Sequence, residues 1–381
     1  MVLTSILVYG SLTAIMFFLG KFADERQSKR KRLGLNTPFF VPEIILTLLA
    51  FVLVCGARWD VGSDYLTYLK DYLYLQDTGH IFSRDNIEFG FEFISRIFAI
   101  FHIHFFFYFA FLAFLQLFFV LYAFKNERYL YPYFAIIIVL GSLFFTWNNG
   151  IRQAIASCIF LYSYKFIEKR QFLKYLIIIS LASLIHHSAL LCIILYFILN
   201  RDIPYNKYWY IVIMASGIIL GKTEFWTNFA NNIDKLLSTI GYEQYVGTNT
   251  ISLIDSKSLG GRSLIIVTLC AINIWYFPKI HEYFNYEKRI KVFFVMYFLG
   301  VTGFFMLVNT YILARITYYF LIFQIPSLSY LLLYAKNNKK IIYYGLIAMF
   351  VLYSLASYIL DSGLTEDWTN YKFFWNYINF L

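Results

Sequence analysis

The chain has 381 residues, 60% of them hydrophobic and 14% charged, with a formal net charge of +10. Ordinary soluble domains carry about 25% charged residues, so an ordinary water-soluble globular protein is excluded. The basic excess invites a nucleic-acid partner, but its distribution along the chain argues against one.

Apolar blocks at 2–20, 39–57, 105–124, 292–308 and 341–360 approach the roughly 20 residues that cross a bilayer as a helix. Segments 21–38, 125–131, 165–174, 200–208, 279–291 and 336–340 are assigned to the cytoplasmic side. They hold 21 of the 32 Lys and Arg and 7 of the 22 Asp and Glu. The opposite side holds 11 basic and 14 acidic residues, with Glu43 left inside a span. This is the positive-inside pattern, so the charge reports orientation and no nucleic acid is expected as a partner. Lys29-Arg30-Lys31-Arg32 fits the same account and suits contact with anionic lipid. Cys55, Cys158, Cys192 and Cys270 lie in or at the ends of apolar spans. No disulfide framework, metal pattern or cofactor is implied.

With the N-terminus outside, span 1 covers about 2–20. It is read as an uncleaved span, because its apolar run is long and no A-x-A-like site precedes Lys21. Span 2 (39–57) leads to an outer segment, 58–104, which is Tyr-rich over 65–88 and carries a short amphipathic helix near 89–101. Span 3 follows at 105–124. Spans 4 (132–147) and 5 (153–167) meet outside around Asn148-Asn149-Gly150. A single helix over 172–199 would be about 42 Å long, against a hydrocarbon core of about 30 Å. Charge bias therefore favours two short helices with His186-His187-Ser188 at their outer turn, and a re-entrant pair is equally compatible. Span 8 (208–221) precedes a long outer loop, 222–261, which carries Trp226, Asn231-Asn232, Tyr242 and Tyr245. Spans 9 (263–278), 10 (292–308), 11 (316–335) and 12 (341–360) and an outer tail complete the reading. The expectation is an all-α, polytopic integral membrane protein, one membrane domain over 1–381. It has about 12 transmembrane or half-membrane helices and both termini outside. No strong internal repeat and no matched pair of Pro- or Gly-broken helices is present, which weakens an inverted-repeat transporter.

Five outer segments carry ionisable groups. In Arg58-x-Asp60-x-Gly62-x-Asp64-Tyr65-x-x-Tyr68, a helix starting near Asp64 places Asp64, Tyr68 and Tyr72 on one face. Carboxylates that accept hydroxyl hydrogens beside aromatic rings suit a sugar; the alternative is a capped surface helix with a local ion pair. Glu88 either binds substrate or caps the amphipathic helix, while Glu92 and Arg96, at i and i+4, read as a salt bridge. Arg152-Gln153 opens span 5, where backbone N–H groups and the dipole favour a diphosphate or carboxylate; a snorkelling Arg is the alternative. His186 and His187 suit proton exchange near neutral pH, or one of them simply bonds a helix end. Asn309-Thr310-Tyr311 leads to Arg315, Tyr318 and Tyr319, which at i, i+3 and i+4 place a guanidinium beside rings. An interfacial Arg with belt tyrosines is the other reading.

Arg58-x-Asp60-x-Gly62-x-Asp64-Tyr65, Glu88-x-Gly90, Arg152-Gln153-x-x-Ala156, His187-Ser188-Ala189 and Arg315-x-x-Tyr318 together resemble, in this order, the EpsG branch of Wzy-type polysaccharide polymerases. Each motif is short; their shared order over about residues 1–360 carries the resemblance. It implies a membrane glycosyltransferase of lipid-linked sugars, working on the outer face of the bacterial cytoplasmic membrane. Such an enzyme lengthens an O-antigen, capsule or exopolysaccharide on undecaprenyl diphosphate. The implied partners are the lipid-linked oligosaccharide and membrane lipid, with a chain-length regulator and a flippase as further partners. The expected base is His187, Asp60 or Asp64, and Arg152 and Arg315 hold the diphosphate without a metal. Arg58, Tyr65, Tyr68, Glu88, Gln153, His186, Tyr318 and Tyr319 line the substrate. The rival functions are a flippase or transporter of the same unit, which predicts polar groups at mid-depth, and a membrane acyltransferase acting on surface glycan.

Overall fold

The computed structural model describes residues 1–79, 87–199, 201, 203–224, 226, 228–229, 232–233, 260–308, 311–362 and 368–377. Among these, secondary structure is helical; there is no strand beyond an isolated bridge between Arg58 and Phe373. The chain divides into two compact units, Met1–Asn200 with Phe350–Leu381, and Arg201–Met349.

In the first unit, α1 runs from Val2 to Arg32, so the basic segment after residue 20 is helix and not the expected loop. The apolar run stops at Lys21, but the following Ala, Glu, Gln, Lys and Arg are good helix formers. Lys29, Arg30, Lys31 and Arg32 occupy the last turn, where the negative end of the dipole favours cations. Glu43, assigned by sequence to the interior of a span, lies in the first turn of α2 (Pro42–Ala57). Both of its oxygens are taken by Arg26 from α1, at 2.7 to 3.0 Å.

Next come α3 (Tyr65–Thr78), the amphipathic α4 (Phe89–Ile100) and α5 (Phe105–Ala123). These agree with the expected short helix and span 3. Span 4 is broken: a turn at Arg128–Leu130 leads into α6 (Tyr131–Val139), and α7 (Leu143–Asn149) departs at 65°. The break falls at Gly141-Ser142, a pair of the kind that bends helices. α8 (Ile151–Glu168) and α9 (Phe172–Ser183) follow, and the region after α9 divides at His186, whose backbone is extended. A 3-10 helix, His187–Ile194, then continues as α10 (Leu195–Leu199).

A strap formed by residues 368–377 returns to the start of the unit. Ser5 Oγ donates to Asn370 Oδ1 at 2.9 Å, and Asn370 Nδ2 donates to Tyr358 O at 2.8 Å. Trp59 N–H bonds to Lys372 O and Gly62 N–H to Trp368 O, while the Trp59 and Tyr377 rings stack 5.6 Å apart. Thr369, Asn370 and Tyr371 are all buried.

The second unit contains α11 (Lys207–Leu220), α12 (Gly261–Tyr283), α13 (Lys288–Leu307), α14 (Tyr311–Ile316), α15 (Tyr318–Leu321) and α16 (Gln324–Asn338). α17 (Lys340–Asp361) begins in this unit. The Asn206 side chain caps α11 by accepting from Tyr208 N–H at 3.0 Å. Most of the 222–261 loop, including Asn231, Tyr242 and Tyr245, lies outside the described residues.

Among the described residues, five helices are long and apolar enough to cross a membrane: α1, α5, α12, α13 and α17. Counting each bent pair as one span raises this to seven, where the expectation is about twelve transmembrane and half-membrane helices together. The shortfall has a physical basis. α2, α9, α11 and the His187–Leu199 stretch are apolar but only 10 to 17 residues long, short of the roughly 20 that a full span needs, and α8 has 18 residues of which Arg152, Lys165 and Glu168 are charged.

Candidate functional site

The site grows from a close approach of two chain segments. Gly90, in the first turn of α4, donates its N–H to Leu184 O at 2.8 Å, and Phe91 N–H reaches the same oxygen at 3.3 Å. A Cβ at position 90 would stand 2.8 Å from both Leu184 O and Leu184 Cβ. Only glycine permits that approach, and it carries Glu88 onto the turn that holds His186 and His187.

Glu88 occupies the N-cap position of α4 but makes no capping bond. Its carboxylate turns the other way. Oε1 lies 2.6 Å from His186 Nδ1 and accepts His187 N–H at 3.3 Å, while Oε2 accepts from Arg152 Nη1. Side-chain exposure is 4% for Glu88, 14% for Arg152 and 15% for His186. Burial alone would raise the Glu88 pKa, but the His186 hydrogen bond and the nearby Arg152 charge outweigh it and hold the value at about 2,. The carboxylate is therefore ionised at neutral pH. With both oxygens engaged, it is suited to positioning its partners and ill suited to accepting a proton. An ionised Glu88 also requires that His186 Nδ1 carry the hydrogen of their shared bond, in the neutral ring and the protonated ring alike,.

Arg152 lies in the first turn of α8, behind Gly150, which offers no side-chain cap. Its guanidinium stands 5.8 Å from the Phe91 ring centroid, and Phe91 meets Tyr68 edge-on at 5.9 Å. A second expected segment docks on the same α7–α8 turn. Asn149 Oδ1 accepts from Ser63 Oγ and from Asp64 N–H, the latter at 3.1 Å. Gly62, at φ +94°, allows this, since a Cβ there would sit 2.5 Å from Asn148 O. Asp64 is the N-cap residue of α3 but caps through no side-chain bond. Asp60 lies 3.9 Å from Lys372 of the strap.

The remaining candidates are distributed differently. Arg58 is 2% exposed, donates to Cys55 O and packs against the Tyr65 and Phe109 rings at 5.3 and 4.9 Å. Tyr65 and Tyr68 are buried, and Tyr72 stacks on Tyr108 at 4.2 Å. The expected tyrosine face of α3 thus packs into the protein. Gln153 is buried on α8, and the His187 ring is exposed. Glu92 and Arg96 form the expected i, i+4 pair at 2.6 Å. In the second unit, the helix expected to hold Arg315, Tyr318 and Tyr319 on one face breaks at Thr317. Its hydroxyl donates to Ala314 O, and Tyr319 is buried there. Asn309 and Thr310 lie outside the described residues. Among the described residues, no three His, Cys, Asp or Glu side chains form a group able to hold a metal.

The sequence presents Glu88, Arg152 and His186 in separate segments and does not reveal that one carboxylate joins them. It also gives Asn149 and Phe91 no role. The signal available was Gly90, a glycine opening an amphipathic helix where a better helix former would ordinarily stand.

Comparison with curated proteins and with solved structures gives no match. The family model described as the EpsG family matches residues 43–376, which spans α2 through the strap and includes every residue of this cluster. The chain belongs to the EpsG family, the family of Wzy-type polysaccharide polymerases.

Proposed function

We propose that the protein is a glycosyltransferase that polymerises undecaprenyl-diphosphate-linked oligosaccharide repeat units at the outer face of the bacterial cytoplasmic membrane. The observation that carries this reading is the Glu88-centred cluster, together with family membership. The acceptor sugar hydroxyl attacks the anomeric carbon of the growing chain. A C–O bond forms, the bond from that carbon to the diphosphate breaks, and undecaprenyl diphosphate leaves with the electron pair.

His186 takes the hydroxyl proton through Nε2, with Glu88 holding the ring in place. This gives His186 the base role that sequence left among His187, Asp60 and Asp64, and the exposed His187 ring is left for substrate contact. Asp60 and Asp64 serve as sugar-binding carboxylates near the α7–α8 turn. Arg152, at a helix N-terminus, stabilises the departing diphosphate charge. Arg315 carries the same assignment from sequence, and Arg315→Ala tests it. Fixed positive charge at the leaving group means that the step calls for no metal ion. Both chain ends outside and twelve full or half-membrane helices complete the topology, with α2, α9, α11 and His187–Leu199 as half-membrane elements.

The test is a gel of surface glycan from a host with the gene deleted, complemented with wild type or Arg152→Ala. A ladder restored by wild type alone, over a single-repeat background in the deletion and in Arg152→Ala, establishes the polymerase. A normal ladder from Arg152→Ala removes that residue from the chemistry. Loss of the single-repeat species itself replaces the polymerase with a flippase.

A further inference from the structure

At the end of α8 opposite Arg152, three lysines converge, with Glu168 and Glu127 nearby in sequence but paired to none of them. Lys165, in the last turn of α8, places Nζ 3.6 Å from the Tyr162 ring centroid, 4.8 Å from Phe166 and 5.5 Å from Tyr122. Lys125, just past α5, stands 4.6 Å from the same Tyr122 ring. Lys169, just beyond α8, is close enough to Lys165 for like-charge repulsion, as is Lys125. No carboxylate among the described residues pairs with any of the three. Behind them Arg128 is fully buried, with Nη1 lacking a hydrogen-bond partner and Nε bonded to Lys125 O at 3.2 Å. Glu43, the carboxylate that acts on Arg128, is already held by Arg26.

The frame around the lysines is aromatic. Tyr122 stacks on Phe118 at 5.4 Å and meets Phe39 edge-on at 5.0 Å, and Tyr162 lies 5.5 Å from Tyr122. Ring faces orient an ammonium without neutralising it, so the full charge remains available to an anion. Two features favour a lipid as the source of that anion. Exposed Phe172 and Leu173 follow Lys169-Arg170-Gln171 and open the apolar α9. Basic side chains beside exposed apolar ones match a charged head group above acyl chains.

We propose that Lys125, Lys165 and Lys169 form a binding site for the phosphodiester of an anionic phospholipid, separate from the Glu88 cluster. The α8 helix would then present a cation to phosphate chemistry at each end, Arg152 at one and Lys165 at the other, 13 residues or about 20 Å apart.

The test uses the purified full chain in detergent, titrated with phosphatidylglycerol or phosphatidylcholine and read by native mass spectrometry. Wild type is expected to prefer phosphatidylglycerol by at least about tenfold, with roughly fivefold lost per lysine neutralised. Lys125→Gln/Lys165→Gln/Lys169→Gln should lose the preference, and the corresponding triple Arg variant should keep it. Lys169→Gln alone, at an exposed position, should weaken the preference without lowering the melting temperature. Equal preference in wild type and the triple Gln variant would overturn the site. Displacement of the lipid by inorganic phosphate at equal concentration would also overturn it, by making it a free-anion site.

Discussion

His186 Nδ1 lies 2.6 Å from Glu88 Oε1 across 98 residues of chain. The other oxygen of the same carboxylate holds Arg152, 64 residues away in sequence. One buried anion therefore fixes the position of both the imidazole and the guanidinium.

Replacing Glu88 by Gln should disturb both partners at once. It leaves Arg152 without its counter-charge in a largely enclosed place, where breaking a buried pair typically costs about 3–5 kcal/mol. Polymer yield should fall at least about tenfold and the melting temperature of the purified protein should drop. A full glycan ladder with unchanged melting would show that Glu88 positions nothing.

The Glu88 carboxyl also sets an acid dependence. Its pKa is lowered from the ordinary 4.5 to about 2 in the folded protein. Above about pH 4.5 the carboxylate is charged in both folded and unfolded states, and its full contribution to stability is present. That contribution fades as pH falls from 4.5 through about 2. The melting-temperature gap between wild type and Glu88→Gln should be constant near neutrality and close on acidification. A gap that is unchanged between pH 6 and pH 3 would contradict the assignment.

Gly90→Ala is a steric test of the same architecture. The new Cβ meets Leu184 backbone and side-chain atoms at 2.8 Å, and neither is a flexible tip that can swing aside. Overpacking of this kind costs about 1–3 kcal/mol, and here the shift separates Glu88 from His186. Glycan polymerisation should fall well before the protein stops accumulating in the membrane. A variant with wild-type ladder length and intensity would mean that the approach at Gly90 is dispensable.

Asn370→Ala probes the strap. Asn370 accepts from Ser5 and donates to Tyr358 O while itself fully buried. Its loss takes the donor from Tyr358 O at a cost of about 1–3 kcal/mol, whereas Ser5 Oγ keeps Met1 O and Tyr371 N–H as partners. The melting temperature should fall, and protease cleavage within 368–377 should accelerate. Equal cleavage of the two proteins would argue that the backbone bonds to Trp59 and Gly62 and the aromatic rings hold the strap without the Asn370 side chain.

Much of the helical order was legible from sequence because apolar blocks end where charges begin. That cue misplaced the end of α1, since Lys21 to Arg32 combine high charge with strong helix propensity. It also gave α2, α9 and α11 the same weight as the long helices, because length and not apolarity sets them apart. The ionisable residues of the site stood out against an apolar background, but their convergence did not. Local periodicity relates residues three or four apart and is silent about Glu88 meeting Arg152 or His186. Arg58 shows the opposite failure. It lies in the most motif-like segment, yet its guanidinium is enclosed by Tyr65 and Phe109, a burial that no linear pattern distinguishes from exposure.

The strap has a consequence for how the molecule is made. Residues 368–377 leave the ribosome last among the described parts, while the Arg58–Gly62 segment that they hydrogen-bond is placed early. Until they arrive, Trp59 and Gly62 lack their backbone acceptors, and Asp60 lacks Lys372. A half-synthesised chain can already bring Glu88 to Arg152, but the neighbouring wall stays open. Closure of that wall thus waits on residues 368–377, and a chain cut before Trp368 would leave the Trp59 and Gly62 N–H groups without these acceptors.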